Sequence, residues 1–184
     1  PEQAKTIPRV GDAYTINIEA ILALKPDVVI AWADGGMHRL RQIERLGIPV
    51  YVSQTRTFES VIETMQAMSQ LLRLKTKPQK IQLLQQQISH LKQQYAQKKP
   101  IRLFFQVWAD PLWTVGESSI VNEAIALCGG RNIFASQGKA ALEVSIEEVI
   151  QRNPEIILVS MDDNRGAGIR FWNAWPGIDA VKNK

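Results

Sequence analysis

Cysteine is nearly missing from this chain of 184 residues. The single one, Cys128, cannot close an internal disulfide, and no multi-thiolate metal site can be built around it. A small buried residue is the role expected of it. Histidine is almost as scarce, with His38 and His90 the only imidazoles. No GxGxxG or phosphate-binding loop occurs, nor a nucleophile elbow, and no spacing of His, Asp or Glu suggests a metal site. An α/β enzyme is the alternative class, but a general base, an activated nucleophile and metal ligands are all lacking, so no catalysis is expected. No run of about 18 apolar residues is present, the length a helix needs to cross a bilayer. The net charge of +4 is scattered rather than gathered into a basic stripe with interleaved aromatics. That argues against a nucleic-acid partner.

What the chain does have is 45% hydrophobic content, ample for a packed core at this length, and one phrase written twice. INIEAILALKPDVVIAW at 16–32 and VSIEEVIQRNPEIILVS at 144–160 match Ile18 with Ile146, Glu19 with Glu147 and Pro26 with Pro154, at a constant offset. Each copy reads as a capped helix, a breaker and a strand. Asn17 and Ser145 stand where N-caps belong. Lys25-Pro26 ends a helix expected over 18–25, because the residue before proline is pushed out of the helical region. Val28 to Trp32 is a continuous apolar run, expected to form a strand buried on both faces. After the ADGG loop, a second helix carries Leu40, Ile43 and Leu46 and stops at Gly47; IPVYV is the next strand, and Val61, Met65, Met68 and Leu72 mark a third helix.

Residues 76–99 follow another rule. Ile81, Leu84, Ile88, Leu91 and Tyr95 recur at steps of three and four among Gln and Lys, the pattern of one amphipathic helix with a single apolar seam. The seam is too short for a coiled coil, so a rigid connector is expected. Beyond Pro100 come a strand IRLFFQV, a loop WADPLWTVGES, a helix over 119–128 closed by Gly129-Gly130, and the second copy of the phrase. Strands alternating with helices give an α/β fold with parallel sheets. The expected organisation is an N-terminal lobe over 1–75, the connecting helix over 76–99 and a C-terminal lobe over 100–184.

Most of the repeat is explained by the needs of any helix-to-strand unit. Glu19 and Glu147 also have a structural role open to them, since a carboxylate in the first turn meets the positive end of the helix dipole for about 0.3–1 kcal/mol. The other reading is that two like charges at equivalent sites present a docking surface to a pseudo-symmetric basic partner.

RVGDAYTINIEAILALKPDVVIAW, ERLGIPVYV, the stretch from Gln106 to Ser119, LCGGRNIF, the second copy of the phrase and WPGIDAVKN resemble, in that order, one family. It is the periplasmic substrate-binding proteins of ABC importers whose two lobes are bridged by a long helix, a family that delivers cobalamin, haem and ferric siderophores. The vitamin B12-binding branch is resembled most. The resemblance implies two Rossmann-like lobes joined by a backbone α-helix, with the ligand in the cleft between them and only small hinge motions. It implies a monomeric periplasmic carrier, peripheral to the membrane, that is either free or lipid-anchored. Glu19 and Glu147 match the family's lobe-tip acids, which meet arginines on the permease dimer. The chain is expected to lack a signal sequence, the family's opening strand-helix unit and its closing strand and helix. The cysteine that pairs with the one matching Cys128 in some cobalamin binders lies in that closing helix, so Cys128 is expected to be a thiol.

In open parallel sheets, ligands sit beyond the carboxyl ends of the strands. That rule singles out the loops from Trp32 to Met37, Ser53 to Phe58, Trp108 to Thr114 and Ser160 to Arg165. Trp32, Trp108 and Trp113 offer flat amphipathic rings to a planar macrocycle, core packing being the other reading for each. Asp34, Gly35 and Asp162 are candidate ligand contacts, as is Asp110, although loop aspartates also serve as turn formers. By resemblance the ligand is cobalamin or another corrinoid, with no cofactor and no resident metal. Ala13 and Ala141 stand where cobalamin binders carry tryptophans. Haem is the competing ligand, because Met37 or His38 can ligate iron, and a Met-His pair opening a helix is also ordinary structure. A ferric siderophore is the third. Trp172 and Trp175 are expected to pack against the C-terminal lobe.

Overall fold

A computed structural model of the chain describes residues 2–12, 15–33, 36–74, 78–160 and 167–182. It separates into two compact units, Pro1–Gln54 and Thr55–Lys184. The first unit opens with a 3-10 turn, Glu2–Thr6, and then lays down α1 (Ile18–Ala23), β1 (Val29–Trp32), α2 (Met37–Arg45) and β2 (Val50–Ser53). Asn17 caps α1 by accepting a hydrogen bond from the Ala20 amide, and Lys25 ends it in the left-handed region at φ 46° before Pro26. β1 and β2 pair in parallel from Val29↔Val50 to Trp32↔Ser53. The core is Ile21, Leu40 and Ile43, against which Val29, Ala31, Val50 and Val52 pack.

The strand expected to be buried on both faces is not. Val29 and Ala31 meet the core, while Ile30 is 45% and Trp32 64% exposed. The helices α1 and α2 supply their buried side chains to one face of β1 only, so the uninterrupted apolar run alternates in burial instead of being covered throughout. Leu46, expected on the core stripe of α2, is exposed beyond the helix end, where Gly47 takes a φ of 84°.

The second unit begins with α3 (Phe58–Leu71) and α4 (Pro78–Tyr95). The five seam residues of α4 are the half-buried ones, and the rest of its resolved face is exposed. The helix ends at Tyr95, short of the 99 expected, and residues 76–77 lie outside the described ones. Then follow β3 (Ile101–Gln106), β4 (Trp108–Ala109), β5 (Leu112–Val115), α5 (Ile120–Leu127), β6 (Gly130–Asn132), β7 (Ala141–Glu143), α6 (Ile146–Arg152), β8 (Ile156–Val159), α7 (Ala167–Trp172) and α8 (Asp179–Lys182). Among the described residues these strands form a parallel sheet in the order β6-β3-β8 and an antiparallel one in the order β4-β5-β7. The α/β class with parallel sheets is therefore as expected, and the antiparallel sheet is an addition. The segment WADPLWTV, expected as a loop, is the β4–β5 hairpin. Its strands are two and four residues long and need β3 and β7 to hold them, so no run of alternating residues announces them.

Phe104, Leu112, Phe134, Val144, Val149, Trp172 and Ile178 make the core of this unit. Trp172 is 2% exposed and Trp175 packs beside it, as expected for both. Cys128 overturns its expectation: it is exposed, because it occupies the C-cap of α5, past the last buried residue, Leu127. At the start of β3, Arg102 is tied to Glu155 at 3.5 Å and Asp179 at 3.2 Å, which joins α8 to the sheet.

The second copy of the repeat is capped twice over. Ser145 Oγ accepts from the Glu148 amide, and the Ser145 amide donates to Glu148 Oε2, each at 3.2 Å. Replacing Ser145 by alanine removes the side-chain bond of this box and leaves the one its backbone amide donates to Glu148; stability measured by urea unfolding is expected to fall by about 1 kcal/mol.

Candidate functional site

The residues singled out for function fall on three features. In the first unit, β1 ends at Trp32, and Gly36, at φ 77°, turns the chain into α2. Met37 and His38 occupy the exposed first turn of that helix. Alongside β1 lies a groove of about 930 Å³, lined by Ile30, Trp32, Gly36, His38, Arg39 and Thr15 among others. Its rim is organised by hydrogen bonds. Arg39 donates to the Ile16 carbonyl at 2.7 Å, and Asp12 accepts from the Thr15 amide at 2.7 Å and the Thr15 hydroxyl at 2.9 Å. Trp32 is thus a surface indole beside a concave, largely apolar surface, and core packing does not account for it. Asp34, Gly35 and Ala13 lie outside the described residues, as do Asp162 and Arg165 of the second unit.

The second feature is the hairpin. Trp108 and Trp113 face each other directly across β4 and β5, and Glu143 on β7 is the next partner of Trp113. Trp108 is 64% and Trp113 36% exposed, whereas Leu112, Thr114 and Val115 on the same short strand are buried. Trp108 Nε1 donates to the Asp110 carbonyl at 3.0 Å, so Asp110 holds the indole through its backbone. The chain after β5 passes Gly116 so close to the carbonyls of Gln137 and Lys139 that no Cβ fits there. The hairpin is therefore fixed at its far end as well. Such a platform of two indoles, backed by buried residues of the same strand, offers flat apolar area with little rotamer entropy to lose.

The third feature is the pair of acids. Asn17 caps α1 through Ala20, and Ser145 with Glu148 caps α6. The local needs of both helix starts are met by these groups, and Glu19 and Glu147 stand exposed in the first turns. The sequence alone did not show that Glu148 rather than Glu147 closes the box, although the S-x-x-E spacing of Ser145 and Glu148 carries that signal. Among the described residues no group of three or more His, Cys, Asp or Glu side chains could hold a metal ion. Thr114 and Ser160, which the sequence reading placed only as ends of ligand-side loops, make bonds it did not foresee: Thr114 to the Phe105 carbonyl, and Ser160 to the carbonyls of Gln106 and Val107.

A family model described as periplasmic binding protein matches residues 1–184. The vitamin B12-binding protein of Vibrio cholerae serotype O1 (strain ATCC 39541) is 37% identical over 186 residues, spanning 100% of this chain and 67% of that protein. The vitamin B12-binding protein of Yersinia pestis (strain Pestoides F) is 35% identical over 175 residues, 94% of this chain and 62% of that protein. Among solved structures, the periplasmic vitamin B12 binding protein of Vibrio cholerae superposes with a TM-score of 0.82 at 35% identity, over 100% of this chain and 72% of that one. The periplasmic heme binding protein of the same organism gives 0.80 at 24% identity, over 100% and 74%, a likeness of fold alone.

Proposed function

This chain belongs to the periplasmic binding protein family, and on that premise we propose that it is the substrate-binding component of an ABC importer, carrying cobalamin or a related corrinoid to the membrane permease. The observation that carries this reading is the exposed Trp108–Trp113 pair on a buttressed hairpin, in a chain 37% identical along its whole length to a vitamin B12-binding protein. Exposed indoles on a rigid support suit a large macrocycle with a polar rim. Trp32, with Asp34 and Gly35 after it, and Asp162 after β8 complete the proposed ligand contacts. The protein is a periplasmic carrier without catalysis, working as a monomer, and Glu19 and Glu147 meet the permease dimer. The division into lobes at 1–75 and 100–184 with the helix of 76–99 between them belongs to the same proposal.

Titration with cyanocobalamin and, separately, with haemin tests it. Cyanocobalamin is expected to quench the tryptophan fluorescence saturably, and Trp108→Ala to weaken binding roughly 10- to 100-fold. A shift of the Soret band with haemin and no response to cyanocobalamin transfers the reading to haem, with Met37 and His38 as the iron ligands; His38 lines the groove beside Trp32. Silence with both ligands removes the tetrapyrrole reading.

A further inference from the structure

The edge of β3 changes partners along its length. Over Ile101–Leu103 it pairs with β6, and the Leu103 carbonyl still accepts from the Ile133 amide at 2.9 Å. Farther along, the Phe105 carbonyl and the Val107 amide are both taken by β5. Val107 donates to the Trp113 carbonyl at 2.8 Å. The Phe105 carbonyl accepts instead the Thr114 hydroxyl, at 2.7 Å. On the opposite edge β8 runs out at Val159, and Ser160 finishes the pairing. Its amide donates to the Gln106 carbonyl at 2.9 Å and its hydroxyl to the Val107 carbonyl at 2.8 Å. Two hydroxyls thus close the two carbonyls at which β3 leaves its sheet and becomes the aromatic hairpin.

We propose that Thr114 and Ser160 are positioning residues for the ligand-facing indoles: their hydroxyls fix the angle at which the β4–β5 hairpin leaves β3, and so the orientation of Trp108 and Trp113. Thr114 is the stronger of the two. It is fully buried, while its neighbour Trp113 on the same strand is exposed, so the anchor and the ligand contact are consecutive residues on opposite faces. Valine has nearly the same shape but takes the Thr114 hydroxyl away from the part-buried Phe105 carbonyl. Alternatives that solvate that carbonyl, by letting water in or by tilting the hairpin, become populated. A part-buried acceptor stripped of its partner shifts such an equilibrium roughly 5- to 10-fold. Serine restores the donor. At Ser160 the hydroxyl is near the surface, where water replaces it more readily, so the effect there is smaller.

The inference rests on the proposed ligand site, and the test separates the two. The protein and its Thr114→Val, Thr114→Ser and Ser160→Ala variants are labelled with 5-fluorotryptophan, with Trp108→Ala and Trp113→Ala used to assign the resonances. Cyanocobalamin is titrated into each. In the ligand-free protein, the fluorine resonances of residues 108 and 113 are expected to shift or broaden in Thr114→Val, while those of Trp172 and Trp175 stay. Cyanocobalamin affinity is expected to fall about tenfold in Thr114→Val, about two- to threefold in Ser160→Ala, and to recover in Thr114→Ser. If Thr114→Val fails to fold, the resonances of Ser160→Ala carry the test, since that side chain lies near the surface. Unchanged resonances at 108 and 113 in the folded variants overturn the inference. Changed resonances in a protein that never binds cyanocobalamin uphold the positioning role and overturn only the choice of ligand.

Discussion

Replacing Phe104 by alanine is expected to destabilise the second unit by about 3–5 kcal/mol, the cost of emptying a large, fully packed aromatic site. Phe104 has no exposed surface and lies at the centre of an aromatic chain. Its ring meets Phe134 edge-on at 5.9 Å and Trp172 at 5.5 Å, and Trp172 in turn touches Phe171 and Trp175. Such contacts add about 0.5–1.5 kcal/mol per pair beyond the area they bury, and both pairs made by Phe104 are lost together. The cavity cannot close easily, because Trp172 is held from the far side by its own bond to Gln106, at 2.6 Å. Guanidinium unfolding followed by tryptophan fluorescence measures the loss, and Phe104→Leu, which refills most of the space, is expected to cost less than half as much. A loss of this size approaches the whole stability of an ordinary domain, so the variant is expected to populate unfolded chains. It also bears on the hairpin: Phe104 precedes Phe105, whose carbonyl anchors Thr114.

Periodic features were legible in the sequence, and features made by a change of partner were not. The seam of α4 recurs five times at helical spacing, and those five residues are the ones half-buried in the structure. Asn17 and Ser145 announce their helices because an oxygen two or three bonds from the backbone reaches the orphan amides from any N-cap. The run Val28 to Trp32 correctly implied a strand but not its burial, since burial depends on what covers each face. Helices cover one face of β1 and leave Ile30 and Trp32 out. The hairpin was invisible for a related reason. Four residues of β5 have no period of their own, and they form a strand because β3 outruns β6 and needs another partner. Cys128 reads as a buried small residue by type, yet its place at the end of α5 exposes it. The three tryptophans were singled out because their residue type suits the proposed task wherever the backbone puts them. The hydroxyls proposed to orient two of them were not, because threonine and serine are unremarkable until their acceptors are known.

The largest functional effect is expected from reversing both acids of the repeat. In the proposed docking role, Glu19→Lys with Glu147→Lys turns two negative sites into positive ones, a change of four charges facing a basic partner. Attraction becomes repulsion at both contacts, and charge complementarity governs encounter rate and orientation together. Ligand uptake by cells or by permease-containing vesicles is expected to drop to background, with the single reversals intermediate. Cyanocobalamin affinity in solution is expected to stay within about twofold, since neither acid is among the proposed ligand contacts. The alternative, that the two acids serve their helices, predicts the opposite pattern: stability falls and uptake follows it. Glu148 separates these readings inside one helix turn. It carries the capping bond to Ser145, so Glu148→Lys is expected to lower stability by about 1 kcal/mol and leave uptake near that of the parent. Glu147→Lys, one residue earlier and exposed, is expected to change stability by only a few tenths of a kcal/mol through the helix dipole and yet cut uptake severely. Equal uptake in the two variants removes the docking role from Glu147, whatever the affinity for ligand.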